Sequence, residues 1–173
     1  MKGKGNDGSG NNEKRDSWET EQAFWDVLNN QYTFDYDCCA SELNKKTTLF
    51  SSDFESVSNV EGIAWMNPPF SKAKEMFNHF FKVIKKGVAI YRFDNAETSI
   101  WQNVIFPNAS WVFVPKGRIS YTPFSFRRSN DNKGTRFPSV LVGVGVDVPK
   151  GFEGRILLIQ QKRCRNENRQ VYS

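Results

Sequence analysis

The sequence has little with which to build the commoner kinds of catalytic centre. Histidine occurs once, as His79, and it falls well inside a helical pattern. A histidine general base therefore has one candidate, in a position that packing or surface exposure explains better. The three cysteines, Cys38, Cys39 and Cys164, are an odd number without metal-ligand spacing. That argues against a disulfide framework or a zinc site, fits a reduced cytoplasm, and leads us to expect no metal. No apolar run approaches the length of a membrane span, and no secretory leader is legible. Residues 1–16 hold no aliphatic side chain after Met1 and are expected to form a disordered arm, touching phosphate through its lysines or merely solubilising the chain.

What remains is ample for one folded domain, expected over residues 17–160, with a basic tail at 161–173. The 173 residues are 38% hydrophobic and include 15 phenylalanines. The net charge of +5 and pI near 9.1 favour a polyanionic partner.

Periodicity predicts alternating strands and helices. Residues 18–29 read as an amphipathic helix capped by Thr20, with Ala23, Phe24, Val27 and Leu28 on its buried face. Residues 32–40 alternate like a strand, with Asp35 and Asp37 on one face. Asp37, at a strand end before small residues, is either a ligand-holding carboxylate or part of a solvent-facing acidic edge. Residues 41–60 read as loop with a short strand at 48–50, and Asp53 there either forms a turn or orients a ligand. Cys38 and Cys39 read as small packing residues.

Residues 63–66 form a short apolar strand, and Asn67-Pro68-Pro69-Phe70 breaks it at once. Two fixed φ angles and two missing donors force a sharp turn whose carbonyls are left to accept. Amide, carbonyls and ring together suit a planar group that carries an NH2. A helix follows over residues 71–86, capped by Ser71 and buried through Ala73, Met76, Phe77, Phe80, Val83 and Ile84. A strand at 88–91 completes a parallel strand–turn–helix–strand unit. Residues 94–103 hold a helix with Ile100 and Trp101. Later strands are expected at 111–114, 118–121, 138–146 and 154–160. Between them, Arg127, Arg128, Lys133 and Arg136 interleave with Phe124 and Phe126, a pattern that suits nucleic-acid contacts or a solvated hairpin loop. The tail adds Lys162, Arg163, Arg165 and Arg169.

Asn67-Pro68-Pro69-Phe70 resembles the motif of the amino-methyltransferases, which methylate exocyclic nitrogens from S-adenosylmethionine. The adenine N6 lone pair is delocalised into the ring and is a poor nucleophile. Acceptance of its NH2 hydrogens by the Asn67 oxygen and the Pro68 carbonyl stabilises the charge that grows during attack. Phe70 would stack on a base that has left its duplex. A plain proline turn between strand and helix is the competing explanation of these residues.

The wider layout is similar to the phage-encoded, Dam-like DNA N6-adenine methyltransferases. Trp18-Glu19-Thr20 matches that family's Trp-x-Thr element. Phe34 to Ala40, followed by Asn44, resembles its cofactor-binding segment. Trp65 to Ser71 matches its Asn-Pro-Pro-Tyr-Ser region, with Phe70 in the aromatic slot. Thr98, Trp101, Gly117-Arg118 and residues 138–142 match later elements. Glu21 stands where the family has proline, and Tyr91-Arg92-Phe93-Asp94-Asn95 is more polar than the family's leucine- and proline-containing stretch.

The resemblance implies a Rossmann-like fold with a mostly parallel sheet and S-adenosylmethionine as cofactor. Trp18, Thr20, Asp37, Cys38, Ala40, Asn44, Asp53 and Asn67 would hold that cofactor. Asn67, Pro68, Pro69 and Phe70 would act on the amine. Ser71, Arg118, Arg127, Arg128, Lys133 and Arg136 would contact double-stranded DNA, in the host cytoplasm and as in restriction-modification. Two alternatives stand beside it: a methyltransferase of RNA or of protein glutamine, and an inactive DNA- or host-factor-binding protein on the same fold.

Overall fold

The structure is a computed structural model and describes residues 16, 18–123 and 137–159. Its centre is a seven-stranded sheet. In chain order the strands and main helices are β1 (Trp18–Thr20), α1 (Gln22–Tyr32), β2 (Tyr36–Asp37), β3 (Leu49–Phe50), β4 (Ala64–Met66), α2 (Ala73–Val83) and β5 (Gly87–Arg92). A π-helical segment (Ile100–Ile105) runs into a short α3 (Phe106–Asn108), followed by β6 (Trp111–Pro115), β7 (Tyr121–Pro123), β8 (Ser139–Val144) and β9 (Gly154–Ile159). The sheet order is β3-β2-β4-β5-β8-β6-β9, and β1 pairs with β7 in a separate antiparallel ribbon.

The strands of the sheet alternate between two apolar layers, as strands covered on both faces must. Ala64, Met66, Ala89, Tyr91, Val112, Val140 and Val142 pack with α2 and the π-helical segment. Trp65, Val88, Ile90, Trp111, Phe113 and Leu141 point the other way, towards Trp25, Leu28 and Tyr32 of α1. The unit β4–α2–β5 is parallel, as its sequence pattern predicts. All six apolar residues expected beneath the helix are buried.

The sheet as a whole is not mostly parallel. β3, β2, β4 and β5 pair in parallel, whereas β5–β8, β8–β6 and β6–β9 are antiparallel. Periodicity marks strands but not their direction, and β8 enters beside β5 from the far end.

Several element boundaries also move. Residues 18–20 are strand rather than helix, since Glu21 continues the β1 ribbon by donating to the Ser120 carbonyl (3.2 Å). Thr20 therefore caps nothing, and the buried face of α1 is Trp25–Leu28–Tyr32, with Ala23 and Val27 exposed. α1 runs on to Tyr32 and stops at Thr33, whose φ of 52° is left-handed. Asn29 supports that stop twice, accepting from Thr33 N–H through its carbonyl (2.8 Å) and from Phe34 N–H through Oδ1 (2.9 Å). Only Tyr36 and Asp37 remain as strand. Arg118 precedes β7 instead of lying in it. The expected N-terminal arm, apart from Asp16, lies outside the described residues. So do Phe124, Phe126, Arg127, Arg128, Lys133, Arg136, Cys164 and the basic tail.

Candidate active site

A cleft of about 410 Å³ opens at the carboxyl ends of β2 and β4, with β1 along its side. Its position follows from chain geometry: parallel strands that end side by side release their loops on one edge of the sheet. Trp18, Thr20, Asp37, Cys38, Ala40, Asn44, Asp53, Asn67, Pro69 and Ser71 all line it. Residues from Trp18 to Ser71 are thus brought onto one surface.

Asn67 stands immediately after β4, where Pro68 and Pro69 end the strand. Its side-chain Nδ2 donates to the Trp18 backbone carbonyl at 2.9 Å. A carbonyl only accepts, so this contact fixes which way the amide is turned. Oδ1, the acceptor, faces away from Trp18. The sharp turn is present, but its carbonyls are not equivalent. Pro69 accepts from Lys72 N–H at 3.1 Å, while the Pro68 carbonyl takes no part in that turn. Pro68 itself is buried.

Asp37 is 3% exposed, so it is no part of a solvent-facing edge. Its carboxylate accepts from Lys46 N–H (3.0 Å) and Cys39 N–H (3.4 Å). Burial pushes its pKa up to about 6, against the pull of those two N–H groups and the Lys46 charge. Asp35 does different work despite the shared spacing. Exposed, it accepts from Ile63 N–H at 2.8 Å and fixes the approach to β4. Gly62 permits that approach, with φ of +80° and Asp35 packed where a Cβ would sit.

Thr20 is 2% exposed, and its Oγ1 has no hydrogen-bond partner among the described residues. A buried hydroxyl on a cleft wall without a partner fits a site that a polar ligand completes. Cys38 and Cys39 are free thiols whose pKa values burial drives upwards, so both are neutral packing groups. Ala40 donates its N–H to Ser51 (2.9 Å), and Asn44 Oδ1 closes the adjoining loop by accepting from Ser41 N–H (2.7 Å). Asp53 lies at the rim and accepts from Ser56 through its carbonyl. His79 is outside the cleft, bonded to the Val57 carbonyl at 2.7 Å and edge-on to Phe54. Its role is structural.

Three further expected site residues make contacts of their own. Phe70 is off the cleft wall, 5.2 Å from Phe137 and 6.3 Å from Tyr91 between ring centroids. Ser71 does not cap α2: its N–H and hydroxyl both donate to the carboxylate of Asp16. Arg118 lines a separate hollow of about 310 Å³ with Phe24 and Phe152.

Sequence reasoning missed the charge of the cleft. Asp16, Glu19, Asp37, Asp53 and Glu55 face it against only Lys46 and Lys72. An acidic cleft in a chain of net charge +5 suits a cationic ligand. Those carboxylates are scattered from residue 16 to residue 55, so no local motif announces them. Among the described residues no cluster suits a metal ion, and no helix is long and apolar enough to cross a membrane.

The arrangement joins an acidic cleft to an oriented amide acceptor, on an α/β sheet, in a form able to hold a cation beside an amine. The family described as DNA N-6-adenine-methyltransferase (Dam) matches residues 8–168, nearly the whole chain, and the protein belongs to that family of transferases. The resemblance read from its motifs is thereby borne out. A comparison with curated proteins gave no match.

Proposed function

We propose that the protein methylates the N6 amine of adenine in double-stranded DNA, using S-adenosylmethionine as cofactor. The observation that carries this reading is the Asn67–Trp18 hydrogen bond, which aims an amide oxygen from the lip of an acidic cleft. The cofactor would supply a methyl group on a sulfonium centre: attack by the amine nitrogen forms the N–C bond as the C–S bond breaks, a neutral thioether leaves, and the surplus N6 proton passes to water.

The residues around the cleft fit that cofactor. Its net charge is positive, and the cleft is acidic. Asp37 offers a carboxylate to the cationic amine, and Thr20 Oγ1 offers a buried hydroxyl without a partner among the described residues. Trp18, the small residues Cys38 and Ala40, Asn44 and Asp53 complete the walls. The volume is within the range of ordinary ligand sites.

Asn67 Oδ1 and the Pro68 carbonyl accept the two N6 hydrogens. As the nitrogen lone pair turns from the ring towards the methyl group, positive charge grows on those hydrogens, and both acceptors bind them more strongly. This stabilises the transition state over the ground state, the condition for a faster step. Holding nitrogen and methyl in line contributes the remainder. Phe70, behind the turn, stacks on the extruded base. Ser71 and Arg118, with the basic side chains at 127, 128, 133 and 136, are assigned to the DNA backbone.

Calorimetric titration with S-adenosylmethionine tests the cofactor assignment. Micromolar binding that weakens at least ten-fold in Asp37→Asn is expected; no binding by the folded wild-type chain would leave an inactive DNA-binding protein. A transfer assay comparing DNA, RNA and a glutamine peptide tests the substrate.

A further inference from the structure

The polar pair Arg92 and Asp94 at the end of β5 has no part in the reaction just described, yet Arg92 packs against Phe70. Arg92 ends β5 after five consecutive buried residues. Its side chain is only 15% exposed, and it forms a forked ion pair with Asp94 through both Nε and Nη2. Its guanidinium carbon lies 5.8 Å from the Phe70 ring centre and 5.0 Å from that of Phe137. Phe137 meets Phe70 nearly at right angles and packs 5.7 Å from Tyr121. Tyr121 in turn donates its hydroxyl to Ser139, which pairs with Arg92 across β5 and β8.

We propose that Arg92 is a positioning residue for the target base: clamped by Asp94, it backs the Phe70 ring and holds Phe137, the residue from which the chain enters β8. This rests on the reading of Phe70 as the base-stacking ring. A largely buried cation is a poor choice for stability alone, since an apolar side chain of similar size would fill the space without desolvating a charge. A planar fork held from one side gives something else. It sets one rigid cation against both the Phe70 and Phe137 rings and so fixes the ring that is to meet the base. Asp94 stops the fork from rotating, and its carboxyl pKa is held low by that same hydrogen-bonded guanidinium. One side chain thereby sets the orientation of two rings on separate elements.

The test uses the full chain and unmethylated plasmid DNA, with Arg92→Gln, Arg92→Lys, Asp94→Asn and the double variant R92Q/D94N. Loss of two cation–ring contacts should lower kcat about ten-fold in Arg92→Gln, with S-adenosylmethionine affinity within two-fold of wild type. Arg92→Lys keeps the charge but not the fork, and should recover less than half of the loss. The double variant should be no slower than Arg92→Gln, because Asp94 acts only through Arg92. An unchanged kcat in Arg92→Gln, full additivity, or a loss that follows cofactor affinity and Tm downward would overturn the role. Wild-type protein that transfers no methyl group would overturn the catalytic reading beneath it, a result distinguishable because it appears before any variant is compared.

Discussion

The sheet changes character at β5. On one side β3, β2 and β4 are strands of two, two and three residues, all parallel. On the other, β8, β6 and β9 have six, five and six residues and run antiparallel to their neighbours. The short side carries the cleft, including two of the three buried polar residues among those described, Asp37 and, on the adjoining ribbon, Thr20. The buried layers of the long side are apolar apart from Ser139 on β8, and none of its residues lines the cleft. A short parallel strand gives up ladder hydrogen bonds early and releases its loop at the carboxyl edge, where side chains and backbone N–H groups can meet a ligand. Stability and chemistry are thus divided across one sheet.

Damage to the long side should remove the fold. Trp111 is 3% exposed, lies against Gly143 on β8 and donates its indole N–H to the Val146 carbonyl at 2.7 Å. Trp111→Ala should cost about 3–5 kcal/mol and lower Tm by roughly 10–20 °C in a thermal melt. Damage at the cleft should do the reverse. Asn67→Ala should lower kcat about 10²–10³-fold, read as labelled-methyl incorporation, with at most about 1 kcal/mol lost from the Trp18 contact.

Asp37 sharpens the contrast through pH. With a folded pKa of about 6 against 3.8 as the ordinary value, the folded chain keeps its proton while the unfolded chain ionises. Stability therefore falls as pH rises from 4 to 6, by about 3 kcal/mol at most, and Asp37→Asn should abolish that fall in urea titrations. Cofactor affinity should move oppositely, weakening below pH 6 as the carboxylate is protonated. The smallest effect belongs to the exposed Lys116–Glu153 pair beside β9 (2.6 Å), where Lys116→Ala should change stability by less than about 0.5 kcal/mol.

The helix after the Asn-Pro-Pro turn was legible because its period of apolar residues is strong and Gly87 follows it. All eight residues assigned to the cofactor share the cleft, since the strand ends that carry them lie side by side. Other features had no local signal. α1 overruns into the expected strand because Thr33, rather than a glycine, takes the left-handed stop, supported by a side chain four residues earlier. Strand direction was invisible, and so the sheet was read as mostly parallel. The orientation of Asn67 depends on the Trp18 backbone carbonyl, which every residue type carries. The Phe70–Arg92–Phe137 cluster joins the turn after β4, the end of β5 and the entry to β8, which only the folded chain brings together.

The most direct measurement is product analysis after incubating the protein with unmethylated plasmid DNA and S-adenosylmethionine, followed by digestion to nucleosides. The account predicts N6-methyladenine from wild-type protein and none above background from Asn67→Ala, with both chains folded. Equal amounts from the two proteins, or no N6-methyladenine from folded wild type, would contradict it.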